Sequence, residues 1–125
     1  MIMIEKKHLN EIYENAWTQS LSSLWYPFTH ENNFENTKCL FLECLYILLS
    51  KDKLKLAKNG CFLSGTIEEQ IELFKNSFPN EERMKEVEPY WWYLDECPAG
   101  AVWIVDEEVE GFTTPAENGK HYFWA

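Results

Sequence analysis

The chain has 125 residues, 21 acidic against 11 basic side chains, and a formal net charge of -10. That length fits a single domain spanning residues 1–125, and 46% hydrophobic residues with 16% aromatic ones exclude a disordered chain. The charge repels nucleic-acid phosphates and anionic lipid, so it argues against direct nucleic-acid binding and favours a basic protein partner.

The predicted elements begin with an amphipathic helix over residues 5–26. Leu9, Ile12, Tyr13, Ala16, Trp17, Leu21, Leu24 and Phe28 recur at spacings of three and four, and Pro27 should stop the helix. The N-terminal "MIMIEKKHLNEI" lacks the charged-then-apolar layout of a signal peptide, and no apolar run reaches 18 residues, so no membrane association is expected.

After the polar "HENN", residues 33–51 are apolar on nearly all sides and predict a buried central helix. This run carries Cys39 and Cys44, expected to be reduced and buried. Cys61 and Cys97 complete the set. No C-x-x-C pair occurs, which is consistent with a reducing cytoplasm.

Leu54 and Leu56 alternate with lysines, as in a strand. Asn59-Gly60 is a turn signal, and Cys61-Phe62-Leu63 reads as the returning strand. Thr66-Ile67-Glu68-Glu69 matches a capping box at the start of a helix over 66–78, ended by Pro79. Asn80 can cap a short helix reaching about Val87. Tyr90–Leu94 and Ala101–Val105 then read as a hairpin around "DECPAG", and His121–Trp124 as a last strand. The whole predicts an α+β fold, with about three main helices packed on a small, mostly antiparallel sheet.

Chemistry-bearing motifs are sparse. There is no glycine-rich phosphate loop and no nucleophile elbow. His8, His30 and His121 lack metal-ligand spacing. The runs Glu68/Glu69, Glu81/Glu82, Asp95/Glu96 and Asp106–Glu108 suit solvated turns better than acid–base catalysis. The expectation is a protein that is not an enzyme and has no cofactor or metal. A small enzyme using a carboxylate or Cys97 ranks last among the readings.

Charge distribution is more informative. Residues 51–60 hold four lysines and one acid, whereas residues 89–110 hold six acids and no basic residue. The same stretch contains Tyr90, Trp91, Trp92, Tyr93 and Trp103. The predicted partner-binding patch is Asp95, Glu96, Asp106, Glu107, Glu108 and Glu110 with an exposed aromatic such as Trp92. Rings supply buried area there, and acids steer and pair with lysine or arginine.

Three stretches, "LSSLWYPF", "FLECLYILLSKDKLKLAKNGCFLSGTIEEQIELFKNSFP" and "YWWYLDECPAGAVWIV", together resemble a small bacterial family known as domain of unknown function 596. The resemblance runs from Leu21 to Val105 and rests on the order of the pieces. It implies a short cytoplasmic protein without known catalytic residues. Some proteins of this kind resemble immunity proteins encoded beside large secreted toxins, which bind a toxic domain, commonly a nuclease. The resemblance therefore implies an immunity protein against a basic toxin domain. The alternative is a cytoplasmic adaptor or structural protein with another partner.

Overall fold

The computed structural model describes residues 4–125. It is α+β, with a helical layer packed on one face of a five-stranded sheet. The strands are β1 (Leu54–Lys58), β2 (Cys61–Phe62), β3 (Gly100–Val105), β4 (Thr113–Pro115) and β5 (His121–Trp124). Their spatial order is β2-β1-β3-β5-β4, and every pairing is antiparallel.

The central helix forms as its sequence dictates. It is α3 here (Phe34–Ser50), and Asn33 caps it by accepting the amide of Asn36 at 2.8 Å. Phe41, Cys44 and Leu45 are fully buried within it. The β1–β2 turn places both Asn59 and Gly60 at positive φ, the geometry that right-twisted hairpins favour. Helix α4 (Ile67–Ser77) starts at a complete capping box. Thr66 Oγ1 accepts the Glu69 amide at 3.1 Å, and the Glu69 carboxylate accepts the Thr66 amide at 3.0 Å. Helix α5 (Glu81–Val87) is capped by Asn80, which accepts the amide of Arg83.

Two expectations are corrected. The first long helix is broken. Helix α1 (Lys6–Ala16) ends where Trp17 turns extended and Thr18 adopts a positive φ, and α2 (Ser22–Trp25) follows, with a 3-10 turn over Tyr26–Phe28. Both pieces bury an apolar stripe, so the spacing continues across the break and hides it. Leu9, Ile12 and Ala16 are buried before it, and Leu21, Leu24, Trp25 and Phe28 after it.

The hairpin is also corrected. Tyr90–Tyr93 is a 3-10 turn, and β3 pairs with β1 and β5 instead. Trp91 and Trp92 are neighbours in sequence and both buried. A strand points neighbouring side chains to opposite faces, whereas a helical turn can send two in succession toward one core. These rings join Trp25, Phe41 and Phe78, with ring centroids 4.9–6.1 Å apart. Strand β4 had no signal in the sequence.

Candidate functional site

The 3-10 turn over Tyr90–Tyr93 divides "YWWY" by position. The inner pair of tryptophans anchors the turn in the core. The outer pair of tyrosines stands in solvent, Tyr90 67% and Tyr93 71% exposed. Residues three apart eclipse one another on a 3-10 helix, so both phenols project from one side of the turn. Trp92 is only 6% exposed. It cannot be the surface aromatic expected from the sequence, and Tyr90 and Tyr93 take that place.

Exposed carboxylates flank the tyrosines. Glu88 precedes the turn and Asp95 follows it, and neither has an ion-pair partner among the described residues. Tyr26 lies alongside. Its phenol is pushed upward in pKa, first by burial and then by the Glu88 carboxylate, with Tyr93 adding to the effect. Glu96 is ion-paired with Arg83, which holds its carboxyl below the ordinary value.

The backbone at Asp95 is held in place by a lysine of β1. Lys58, at the end of β1, donates from Nζ to the backbone carbonyls of Asp95 and Cys97, each at 2.7 Å. Lys58 is therefore a strut for the turn after Tyr93. Lys53 lies over the Tyr13 ring at 5.8 Å and Lys55 over Phe62 at 6.0 Å.

The six predicted carboxylates do not form one patch. Asp95 and Glu96 precede β3, whereas Asp106, Glu107, Glu108 and Glu110 follow it. A six-residue strand separates the two groups by roughly 17 Å. In the second group, Asp106 pairs with Lys120, and this neighbour lowers its pKa. Glu107, Glu108 and Glu110 are exposed around Val109 and Phe112, and the Phe112 ring stacks on Phe123 at 5.6 Å. The expectation of six acids without counter-charge is not met: Arg83 and Lys120 reach Glu96 and Asp106 from other parts of the chain, and the Lys58 ammonium sits at the Asp95 backbone.

The thiols divide in the same way. Cys44 is buried, and burial pushes its pKa up to about 12. Cys39 is exposed, against expectation, because it sits on the solvent side of α3. Cys61 is exposed too. Cys97 is buried, donates to the Ala99 carbonyl at 3.3 Å, and is pushed to about 11 chiefly by burial. A thiol with a raised pKa is a poor nucleophile near neutral pH. Among the described residues no three His, Cys, Asp or Glu side chains are grouped to hold a metal ion. No helix among them is long and apolar enough to cross a membrane.

The fold is shared with an uncharacterized protein conserved in bacteria, from Neisseria meningitidis. The two superpose with a TM-score of 0.68 at 26% identity, over 94% of this chain and 88% of that one. No curated protein matches the chain. The family profile described as "Protein of unknown function, DUF596" matches residues 49–125. That match contains β1 through β5, both exposed tyrosines and both acidic groups. It spans more than half of the chain, which therefore belongs to the DUF596 family.

Proposed function

We propose that this protein is an immunity protein that binds and neutralises a basic toxin domain, a nuclease being the favoured class. The observation that carries the reading is the exposed pair Tyr90 and Tyr93 between the unpaired carboxylates Glu88 and Asp95. Tyrosine is a typical anchor at protein interfaces, since its ring adds contact area at small entropic cost. A lysine or arginine of the partner can pair with Glu88 or Asp95 and lie against a phenol ring. Two buried tryptophans hold the turn rigid, so little ordering is required on binding.

The second acidic group, Glu107, Glu108 and Glu110, serves as a steering rim. Long-range attraction of this kind accelerates encounter and is screened by salt. On a nuclease, carboxylates placed over the active groove would occupy the positions of nucleic-acid phosphates, and the body of the protein would block access.

The test is protection in cells. A basic C-terminal domain of a secreted protein encoded beside this gene is expressed with and without this chain. Restored growth, lost on changing Tyr90 and Tyr93 to alanine together with Glu88 and Asp95 to lysine, is the expected result. Growth arrest that this chain does not relieve would remove the immunity reading and favour an adaptor with a different partner.

A further inference from the structure

The contact at Glu88, Tyr90, Tyr93 and Asp95 is small. Four side chains cannot supply the roughly 800 Å² per partner that a stable complex buries. The surface next to them is the outer face of the sheet. Leu54, Leu56, Ala101, Trp103 and Val105 point into the core shared with the helices. The alternate positions, among them Ala57, Val102, Ile104, Tyr122 and Trp124, face the other way, and Phe62, directly opposite Ala57, joins them.

This outer face is apolar and ordered. Phe62 meets Tyr122 edge-on at 5.0 Å and stacks on Trp124 at 5.2 Å. Trp124 donates its indole N–H to Thr114 at 2.9 Å, which fixes the ring. Phe62 is 42% exposed, and Tyr122 and Trp124 are partly so.

Both ends of the face are acidic. At one end, a depression of about 250 Å³ is lined by Tyr93 and Asp95 together with Ala57 and Gly100 of the sheet. The tyrosine patch and the sheet face are therefore one continuous surface. At the other end, Ile104 and Tyr122 border a groove of about 290 Å³ that Asp52, Lys55, Glu117 and Lys120 also line. Lys120 is taken up by Asp106, and Lys55 lies over the Phe62 ring at 6.0 Å. With Asp106 included, three acids stand against two lysines there, and Glu107, Glu108 and Glu110 follow. Charge selects the occupant. A net charge of -10 repels a second copy of this chain and attracts a basic partner.

We propose that the basic partner lies along β3 on the outer sheet face, with apolar side chains on the ridge of Phe62, Tyr122 and Trp124 and with lysines or arginines reaching the acids at both ends. This rests on the reading of the protein as one that binds a basic domain, and it extends the footprint of that site. An apolar centre with a charged rim is the usual anatomy of an interface. The placement also gives the second acidic group a contact. A partner confined to the turn at Tyr90–Tyr93 stops roughly 17 Å short of that group, whereas one lying along the six-residue β3 reaches both.

The experiment is hydroxyl-radical footprinting of the full chain, alone and with the purified basic domain used in the protection test. Phe62, Tyr122 and Trp124 should oxidise more slowly in the complex, together with Tyr90 and Tyr93. Tyr46, 40% exposed on α3, should oxidise as it does in the free chain. Phe62→Lys should raise the dissociation constant of the complex by roughly ten-fold or more, as loss of an anchor does. Leu73→Lys, the same charge change at a side chain 44% exposed on α4, should not. Near-ultraviolet circular dichroism checks that each variant is folded, and if Phe62→Lys does not fold, the footprint of the wild-type chain decides. Protection of Tyr90 and Tyr93 without the sheet aromatics would overturn this proposal and leave the tyrosine site standing. A free chain that sediments as two copies with the ridge already protected would also overturn it, because a second copy would then hold the face. No binding by the wild-type chain would remove both this proposal and the reading on which it rests.

Discussion

The indole N–H of Trp103 donates to the backbone carbonyl of Gln19 at 2.7 Å, across 84 residues of sequence. Trp103 is fully buried in β3, and Gln19 lies in the break between α1 and α2. The bond ties the helical layer to the middle of the sheet at the point where the first helix fails. Trp103→Phe keeps an aromatic ring and deletes the donor, leaving that carbonyl unpaired. Chemical denaturation should show a loss of about 1–3 kcal/mol. An unchanged midpoint would mean that water replaces the indole at no cost.

The carboxylates predict an acid limb to stability. Glu69 is held below its ordinary pKa first by the Thr66 amide, Glu96 by Arg83, and Asp106 by Lys120. A carboxylate whose folded pKa is depressed stabilises the fold above its unfolded pKa, and that stabilisation disappears as pH falls through the folded value. Unfolding free energy should therefore hold near neutrality and decline below about pH 4.5. Glu69→Gln retains the capping geometry without the titration, so its denaturation profile should be flatter across that window.

Thiol reactivity should split the cysteines two and two. Cys39 and Cys61 are exposed, whereas Cys44 and Cys97 are buried with pKa values of about 12 and about 11. A disulfide reagent near about pH 8 should label the first pair rapidly and the second pair only on unfolding. Mass spectrometry of labelled peptides identifies the sites, and fast labelling of Cys44 would contradict this packing.

Lys58 should behave unlike its neighbours. Lys58→Met keeps the aliphatic stem but removes the ammonium that binds the Asp95 and Cys97 carbonyls. Stability should drop by about 1–2 kcal/mol, with faster amide exchange in residues 95–97. Lys51→Met, at an exposed position after α3, should do neither.

Local rules in the sequence specify most of this fold. Asn33, Asn59-Gly60, the Thr66–Glu69 box and Asn80 act through bonds within a few residues, and all form as their sequence predicts. The departures are set by distant contacts. The break at Trp17–Leu21 serves a bond to Trp103, and helical spacing on both sides conceals it. In Tyr90–Tyr93, composition alone cannot say which rings face inward; core packing around Trp25 and Phe78 draws in the middle pair. The same holds for charge. Arg83 and Lys120 reach their carboxylates across 13 and 14 residues, so a count along the chain overstates the local excess. Strand β4 has three residues and depends on pairing with β5 for its existence.

The proposed contact for a basic toxin domain is Glu88, Tyr90, Tyr93 and Asp95. The most direct measurement is the affinity of that purified domain for four forms of this protein across a salt series: wild type, Tyr90→Ala/Tyr93→Ala, Glu88→Lys/Asp95→Lys, and Lys51→Glu/Lys53→Glu. The tyrosine and carboxylate variants should each raise the dissociation constant by about thirty-fold or more. Affinity should fall with salt, and the lysine variant should bind as wild type does. Normal binding by both patch variants, or loss of binding only in the lysine variant, would contradict it.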